Sequence, residues 1–202
     1  GGVPGRAAGV NAADELLDLL ALRYSMGPKY LTPPGPSAEQ WARAADLALR
    51  APDHGSLRPF RFVVIGDSQR VALAGLFAAG AQQRGQAAEE VERARARAFN
   101  GPGLVALVAR VRDDVPDVPP HEQWLCVGAA LMNFMNALHL MGFGAKALSG
   151  ASVSDPAVHT AFCGPGERLA NWVIAGRPVR AAHPKAGAEA SAVISGWRMD
   201  QG

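Results

Sequence analysis

Between Trp124 and Ala145 the chain contains no Asp, Glu, Lys or Arg residue. That stretch matches the roughly 20 apolar residues that a helix needs to cross a bilayer. It includes Asn133, Asn136 and His139, however, and no cluster of basic residues flanks it, so a membrane span and a membrane partner are disfavoured. A helix buried on nearly all sides is the better interpretation. Since one modest domain can hardly cover such a helix, the stretch indicates a subunit interface.

Composition places the chain among ordinary globular proteins. Hydrophobic residues make up 49% and charged residues 19% of 202 residues, which excludes a disordered chain and fits one domain. The net charge of +2 argues against a nucleic-acid partner, which would need a concentrated basic face. We expect residues 1–11 to be a disordered or cloning-derived segment. Residues 12–202 are predicted to form one domain that ends in an irregular tail from Ala181 onward.

The cysteines and histidines give no sign of a disulfide scaffold or a metal site. Only Cys126 and Cys163 are present, and the five histidines are dispersed, so we predict no metal centre. His139 is expected to be a hydrogen-bonded core residue. The beginning of the chain has no secretory signal pattern, and a cytoplasmic location is therefore expected.

Hydrophobic periodicity and turn residues predict strands and long helices without a regular βαβ alternation, and hence an α+β fold. A capping box formed by Ser37 and Gln40 predicts a helix start, and Asp155-Pro156 predicts another. The remaining predicted helices cover 12–22, 69–84, 87–99 and Pro119 to about Gly142. The predicted strands cover 60–65, 104–111, 145–148 and 172–175.

The Gly142-Phe143-Gly144-Ala145-Lys146-Ala147 segment fits a dinucleotide-binding pattern in the wrong context. It follows a helix, whereas the fingerprint opens a helix after a strand. We interpret it as a helix end followed by a tight turn. The chain also lacks a phosphate-binding P-loop and a G-x-S-x-G nucleophile motif, and no catalytic side chain is assigned.

Two polar segments are candidates for ligand binding. Arg23-Tyr24-Ser25 follows the first helix and pairs a cationic fork with a hydroxyl donor, which suits a phosphate monoester. On these residues alone, a surface arginine beside a helix-end serine is the better interpretation. The segment from Arg50 to Phe60 precedes a strand and concentrates charged and turn residues. A binding loop and an exposed turn are equally good interpretations of that segment.

Taken together, these segments resemble the nitroreductase family of FMN-dependent flavoproteins over about Ala13 to Arg180. Any one marker is weak, but their order and spacing together are fairly specific. The markers are Arg23-x-Ser25, Arg50-Ala-Pro-Asp-His54-x-Ser56-x-x-Pro59-Phe60, Val118-Pro119 through Glu122-Gln123, Gly142-Phe143-Gly144 before Ser149-Gly150, and Ala175-Gly176-x-Pro178.

The resemblance implies an α+β fold with a mixed, mainly antiparallel sheet flanked by helices, built as an intertwined homodimer. Two FMN molecules would lie in the interface, and the long apolar helix would pack at its centre. It also implies hydride transfer from NADH or NADPH through flavin N5 to a small-molecule acceptor, a nitroaromatic or a quinone, in a ping-pong exchange.

The same resemblance assigns roles to individual residues. Arg23 and Ser25, with Tyr24 between them, would hold the FMN phosphate, and Arg180 or Lys185 would complete that site. The partner subunit would contribute Arg50 and His54, with the backbone around Pro52 and Asp53, while Ser56 would approach the ring or ribityl edge. Backbone N–H groups of the loop formed by Ala147, Leu148, Ser149 and Gly150 would face flavin N5 and stabilise the charge of the reduced ring.

Four positions depart from the family pattern. Tyr24 stands where the family commonly has a second arginine, and Gly27 stands where it often has a basic residue. Arg58 stands where glutamine is frequent, and Phe60 stands where tryptophan is frequent. These changes affect the expected substrate more than FMN binding. The alternatives to a nitroreductase are a same-fold flavoenzyme that dehalogenates or fragments flavin, a non-catalytic FMN carrier or sensor, and a flavin-free dimeric scaffold.

Overall fold

The computed structural model describes residues 6–181, 183–184 and 186–197, with side chains from residue 11 onward. Six α-helices and five strands are present in this part of the chain. The helices are α1 (Arg6–Ala21), α2 (Ala38–Ala48), α3 (Arg70–Gln83), α4 (Ala88–Arg97), α5 (Pro120–Leu140) and α6 (Pro156–Phe162). The strands are β1 (Leu31–Thr32), β2 (Phe60–Val64), β3 (Gly103–Ala109), β4 (Gly144–Leu148) and β5 (Arg168–Pro178).

Strand β5 organises the sheet. It pairs with β3 along one edge and with β4 and then β1 along the other, while β2 pairs with the far edge of β3. All of these pairings are antiparallel, and an isolated parallel bridge joins Ser25 to Ala145. The sheet therefore agrees with the predicted mixed, mainly antiparallel arrangement.

Helices cover both faces of the sheet. One core packs α3, α4 and α6 against residues such as Leu104 and Trp172, and the other packs α2 and α5 against Val105 and Val173. Every residue of β3 is buried. A strand covered on both faces reads as a continuous apolar run, which explains the pattern at 104–111.

Local signals at helix starts are confirmed. The Ser37 hydroxyl accepts a bond from the Gln40 backbone N–H at 3.2 Å, and the Ser37 N–H donates to the Gln40 side-chain oxygen at 2.9 Å. Asp155 caps α6 by accepting the backbone N–H of Ala157 at 3.0 Å. Gly142, with φ of 83°, ends the turn after α5, as its residue type predicts.

Helix α1 begins at Arg6, inside the segment that was expected to be disordered. Alanines at 7, 8, 12 and 13 have the highest helix propensity, and they offset Gly9. Strand β5 is longer than predicted because its neighbours pair with it from Arg168 to Pro178. Strand β1 was not predicted, since two residues show no periodicity.

The long apolar helix α5 is buried on one side only within a single chain. Cys126, Ala130 and Phe134 lie in the core, whereas Leu125 is 70% exposed and Trp124 is 40% exposed. The expectation of burial on nearly all sides is therefore not met by one chain. His139 is half-buried rather than fully buried, and its Nε2 lies 2.6 Å from the carbonyl oxygen of Leu19. Among the described residues, no helix is long and apolar enough to cross a membrane.

Candidate functional site

The Arg23-Tyr24-Ser25 segment lies at the beginning of β4. The backbone N–H of Met26 donates to the Ala145 carbonyl at 2.9 Å, and together with the Ser25–Ala145 bridge this fixes the segment against the strand. Arg23 and Arg180 line the same pocket of about 270 Å³. Two guanidinium groups at one pocket are donors suited to a phosphate dianion. Ser25 is exposed and lies next to them in the chain, but it does not line this pocket.

Arg180 is held over an aromatic ring. Its guanidinium carbon lies 3.6 Å from the centroid of Tyr30, and the Lys29 ammonium lies 4.9 Å from the same centroid. The hydrogen bond from Lys29 lowers the pKa of the Tyr30 phenol, and the positive charge of Arg180 adds to that effect. This stacking orients Arg180 near the pocket. Lys185, the other predicted phosphate ligand, lies outside the described residues.

The loop of Ala147, Leu148, Ser149 and Gly150 lies at the other end of β4. Ala147 and Leu148 pair with β5, while Ser149 and Gly150 are exposed. Gly150 has φ of 90°, in the region that favours glycine. Beyond Ala145, no strand of the described residues pairs with the outer edge of β4, so that edge presents backbone N–H and C=O groups to a ligand.

A cleft of about 400 Å³ adjoins this loop. Leu148, Ser149 and Gly150 form one wall, and Arg97 and Asn100 contribute from the end of α4 and the turn after it. Neither Arg97 nor Asn100 was predicted from the sequence to be a site residue. The Asn100-Gly101-Pro102-Gly103 turn before a buried strand was the signal that could have pointed to them.

In the loop before β2, Asp53 has a structural role. Its carboxylate accepts the backbone N–H groups of Leu57 at 3.0 Å and Arg58 at 2.8 Å. These bonds support a turn in which Gly55, Ser56 and Arg58 all have positive φ. The side chain of Asp53 is therefore used to shape the loop, and its carbonyl oxygen also supports the turn by accepting the backbone N–H of Ser56 at 3.0 Å.

His54 and Arg50 lie apart from both β4 pockets within one chain. His54 Nδ1 lies 2.6 Å from a carboxylate oxygen of Glu122, in the first turn of α5. Arg50 lines a separate groove of about 390 Å³ between α2 and α5. Neither residue, nor Pro52 or Ser56, lines the β4 pockets. One chain thus places Arg23, Arg180 and the Ala147–Gly150 loop along β4 and keeps Arg50 and His54 apart from its two pockets.

The most strongly perturbed carboxyl group lies outside this region. Arg61 donates two hydrogen bonds to Glu167, at 2.9 and 2.6 Å. Those bonds, with one from the backbone of Gly164, lower the pKa of Glu167 to about 2. The pair ties β2 to the turn before β5 and has no partner that suggests chemistry. Groups of His, Cys, Asp and Glu that could hold a metal ion are absent from the described part of the chain.

Comparison with known proteins identifies the family of the chain. A sequence model described as the nitroreductase family matches residues 20–177. The chain belongs to the nitroreductase family. A protein of Haemophilus influenzae, provisionally named an NAD(P)H nitroreductase, is 33% identical over 163 residues, which cover 80% of this chain and 88% of the relative. The prediction of a nitroreductase-family oxidoreductase is thus confirmed at the level of the family.

Solved structures confirm the nitroreductase fold. A nitroreductase-like family protein from Bacillus cereus superposes with a TM-score of 0.73 at 17% identity, covering 93% of this chain and 96% of its own. A variant of an FMN- and NADPH-dependent nitroreductase derived from sphigopyxis sp. strain HMH superposes with a TM-score of 0.69 at 19% identity, covering 91% and 98%. At these identities the likeness concerns the fold alone.

Proposed function

We propose that this protein is an FMN-dependent oxidoreductase that uses NADH or NADPH to reduce nitroaromatic or quinone-like acceptors. One observation carries the proposal: strand β4 joins a pocket with two arginines at its beginning to a loop of free backbone donors at its end. At about 3.3 Å per residue, its five residues span roughly 16 Å. Phosphate and ring of one extended flavin nucleotide fit that separation.

The residues present suit FMN at both ends. The guanidinium groups of Arg23 and Arg180, which line the first pocket, would hold the phosphate together with the exposed hydroxyl of Ser25. The unpaired edge of β4 and the Ser149–Gly150 backbone would donate to the polar edge of the ring. Tyr24 lines the first pocket in the position where the family commonly has a second arginine. The pocket still contains two cations, Arg23 and Arg180. The neighbour described as FMN- and NADPH-dependent supports the same choice.

A second copy of the chain would complete the site. The exposed face of α5, with Trp124, Leu125 and Met132, is apolar. In the tail, Val193 and Trp197 are each 87% exposed. Exposed apolar side chains on this scale mark an interaction surface. A homodimer that buries them would also let Arg50 and His54 of one subunit approach the flavin of the other.

Bound FMN would supply the two-electron redox chemistry between NAD(P)H and the acceptor, in the ping-pong exchange that the family resemblance implies. For a nitro acceptor the balance is ArNO₂ + NAD(P)H + H⁺ → ArNO + NAD(P)⁺ + H₂O. The chain itself would bind and orient the flavin through Arg23, Arg180 and the unpaired edge of β4. The Ser149–Gly150 backbone would stabilise the developing negative charge. No side-chain acid or base is assigned, since solvent can supply the protons.

The first test is the absorbance spectrum of the purified protein, before and after anaerobic addition of NADH or NADPH. A flavin spectrum that bleaches is expected, and the faster reductant identifies the preferred donor. A flavin that stays oxidised with both would favour the carrier or sensor. A colourless protein that cannot be reconstituted with FMN would leave the flavin-free scaffold.

A second test measures the contribution of Arg23. Arg23→Ala should weaken FMN binding by about 1.5–3 kcal/mol, roughly 10- to 150-fold, because it removes a hydrogen bond to a charged group. Arg93→Ala is the matched control, since Arg93 pairs with Glu89 and Glu90 on the solvent face of α4 and should leave the affinity unchanged. Equal affinities for wild type and Arg23→Ala would remove Arg23 from the site.

A further inference from the structure

The cleft beside the Ser149–Gly150 loop combines an apolar floor with a cationic rim. Phe77 and Trp172 meet edge to face with centroids 5.4 Å apart, and both line the cleft. The Trp172 indole N–H donates to the Ser152 hydroxyl at 3.0 Å, which fixes the ring. A volume of about 400 Å³ lies in the range of small-molecule sites, where apolar walls carry a few convergent polar groups.

The charge of the rim is positive. Arg84 and Arg97 line the cleft, and none of the described lining residues is Asp or Glu. Arg84 is partly neutralised, because one of its nitrogens lies 3.1 Å from a buried oxygen of Asp155. Arg97 is exposed and makes no ion pair within the described part of the chain. Its guanidinium is thus available to a carboxylate, which it can bind through two parallel hydrogen bonds.

A buried arginine rigidifies this rim. Arg70 is 5% exposed and has no carboxylate within ion-pair distance among the described residues. Its guanidinium instead donates to the carbonyls of Ala98, Asn100, Gly101 and Pro102, at 2.9 to 3.3 Å. Burying a cation without a counter-ion is expensive. The arrangement holds the turn that follows Arg97 in one conformation and so preorganises the rim.

We propose that this cleft binds the electron acceptor as an aromatic acid, with the ring on the Phe77–Trp172 floor and the anionic group at Arg97. The inference rests on the proposed function, because the wall formed by Leu148, Ser149 and Gly150 is the segment that would face the flavin. A ring seated there lies next to the group that reduces it. The arginine rim selects acceptors that carry a carboxylate over neutral acceptors of the same shape.

The test compares two acceptors that differ in charge and little in shape, 4-nitrobenzoate and 4-nitrobenzamide. In the FMN-loaded protein we expect kcat/KM for 4-nitrobenzoate to exceed that for 4-nitrobenzamide. Arg97→Gln should lower the ratio of the two values about tenfold, at the lower end for a charged hydrogen bond because Arg97 is exposed. It should lower the value for 4-nitrobenzamide far less than the value for 4-nitrobenzoate and should leave the FMN affinity unchanged.

Arg95→Gln is the matched control. Arg95 lies on the same helix, pairs with Glu92 at 3.3 Å and does not line the cleft. The substitution therefore removes one positive charge without changing the cleft. An equal fall of the ratio in both variants would mean long-range attraction and would overturn the proposal. A loss of FMN affinity in Arg97→Gln would overturn it too, because Arg97 would then serve the flavin.

Calorimetric titration of 4-nitrobenzoate into the FMN-loaded and FMN-free proteins gives a readout independent of turnover. Binding that weakens about tenfold in Arg97→Gln supports the anion site, and binding that is absent or insensitive to Arg97 overturns it. If neither acceptor is reduced while Arg97-dependent binding persists, the proposed function fails and the anion site stands.

Discussion

Helix α3 contains two glycines for which one substitution should have opposite effects. Gly75 is exposed, and nothing lies within 4 Å of a Cβ added there. Gly80 is buried, and a Cβ added there would overlap the carboxylate of Asp155. A helix-interior glycine is about 0.5–1 kcal/mol less favourable than alanine. Gly75→Ala should therefore raise the free energy of unfolding by about that amount.

At Gly80 the overlap outweighs the gain in helix propensity. The Asp155 side chain is 1% exposed and bonds to Arg84 at 3.1 Å and to the backbone N–H of Ala157 at 3.0 Å. Displacing it removes a helix cap, which is worth about 1 kcal/mol, and a hydrogen bond between charged groups, worth about 1.5 kcal/mol or more. Gly80→Ala should therefore lower the free energy of unfolding by about 1–3 kcal/mol net.

Urea unfolding followed by circular dichroism, at equal protein and FMN concentrations, measures both variants against the wild type. If Gly80→Ala is as stable as Gly75→Ala, the close approach of Asp155 does not restrict this position. A double-variant cycle isolates the cause. Adding Gly80→Ala to Asp155→Ala should cost little, because the carboxylate that the new methyl group meets is gone.

Three further outcomes follow from charges and burial. The Arg61 bonds that hold the pKa of Glu167 at about 2, against an ordinary 4.5, stabilise the fold fully above about pH 5 and progressively less as the pH falls toward 2. Urea midpoints of the wild type should fall over that window, and those of Glu167→Gln should fall less; parallel curves would contradict this. Arg70→Met should lower the free energy of unfolding by about 2–4 kcal/mol in urea titrations, because four carbonyls lose a charged donor. A change below about 0.5 kcal/mol, typical of surface sites, would refute the stabilising role of the Arg70 hydrogen bonds. Burial raises the pKa of Cys126 to about 11, so iodoacetamide at pH 8 should leave this thiol unmodified in the folded protein and alkylate it in urea. Mass spectrometry of the peptide that contains Cys126 measures the modification, and alkylation in the folded protein would contradict the prediction.

Features specified by neighbouring residues could be predicted from sequence. The Ser37–Gln40 capping box and the Asp155 cap are contacts between residues two or three positions apart. The apolar run of β3 likewise indicated that the strand is buried on both faces. Strand β1 could not be found this way, because its two residues are extended only through pairing with the distant end of β5.

In the candidate site, too, some features were predicted from the sequence and others were missed. The Arg23 segment and the Ala147–Gly150 loop were predicted because the order of motifs along the chain resembles the nitroreductase family. The structure places both segments at β4. The floor and the rim of the cleft were missed because Trp172 and Arg97 come from separate elements that meet only after folding. The hydrogen bonds from buried Arg70 to four backbone carbonyls were missed for a different reason. A lone arginine at the start of a helix has no sequence pattern that distinguishes burial from exposure.

The central place of β5 has a consequence for synthesis of the chain. Strands β1, β3 and β4 all pair with β5, which, of the strands in the described residues, is the last to leave the ribosome. Roughly sixty residues separate the end of β3 from the start of β5, and at about 5–20 residues per second their translation takes about 3–12 s. During that interval an apolar strand has one edge without its partner. The nascent chain is therefore expected to depend on holding chaperones until the second half emerges.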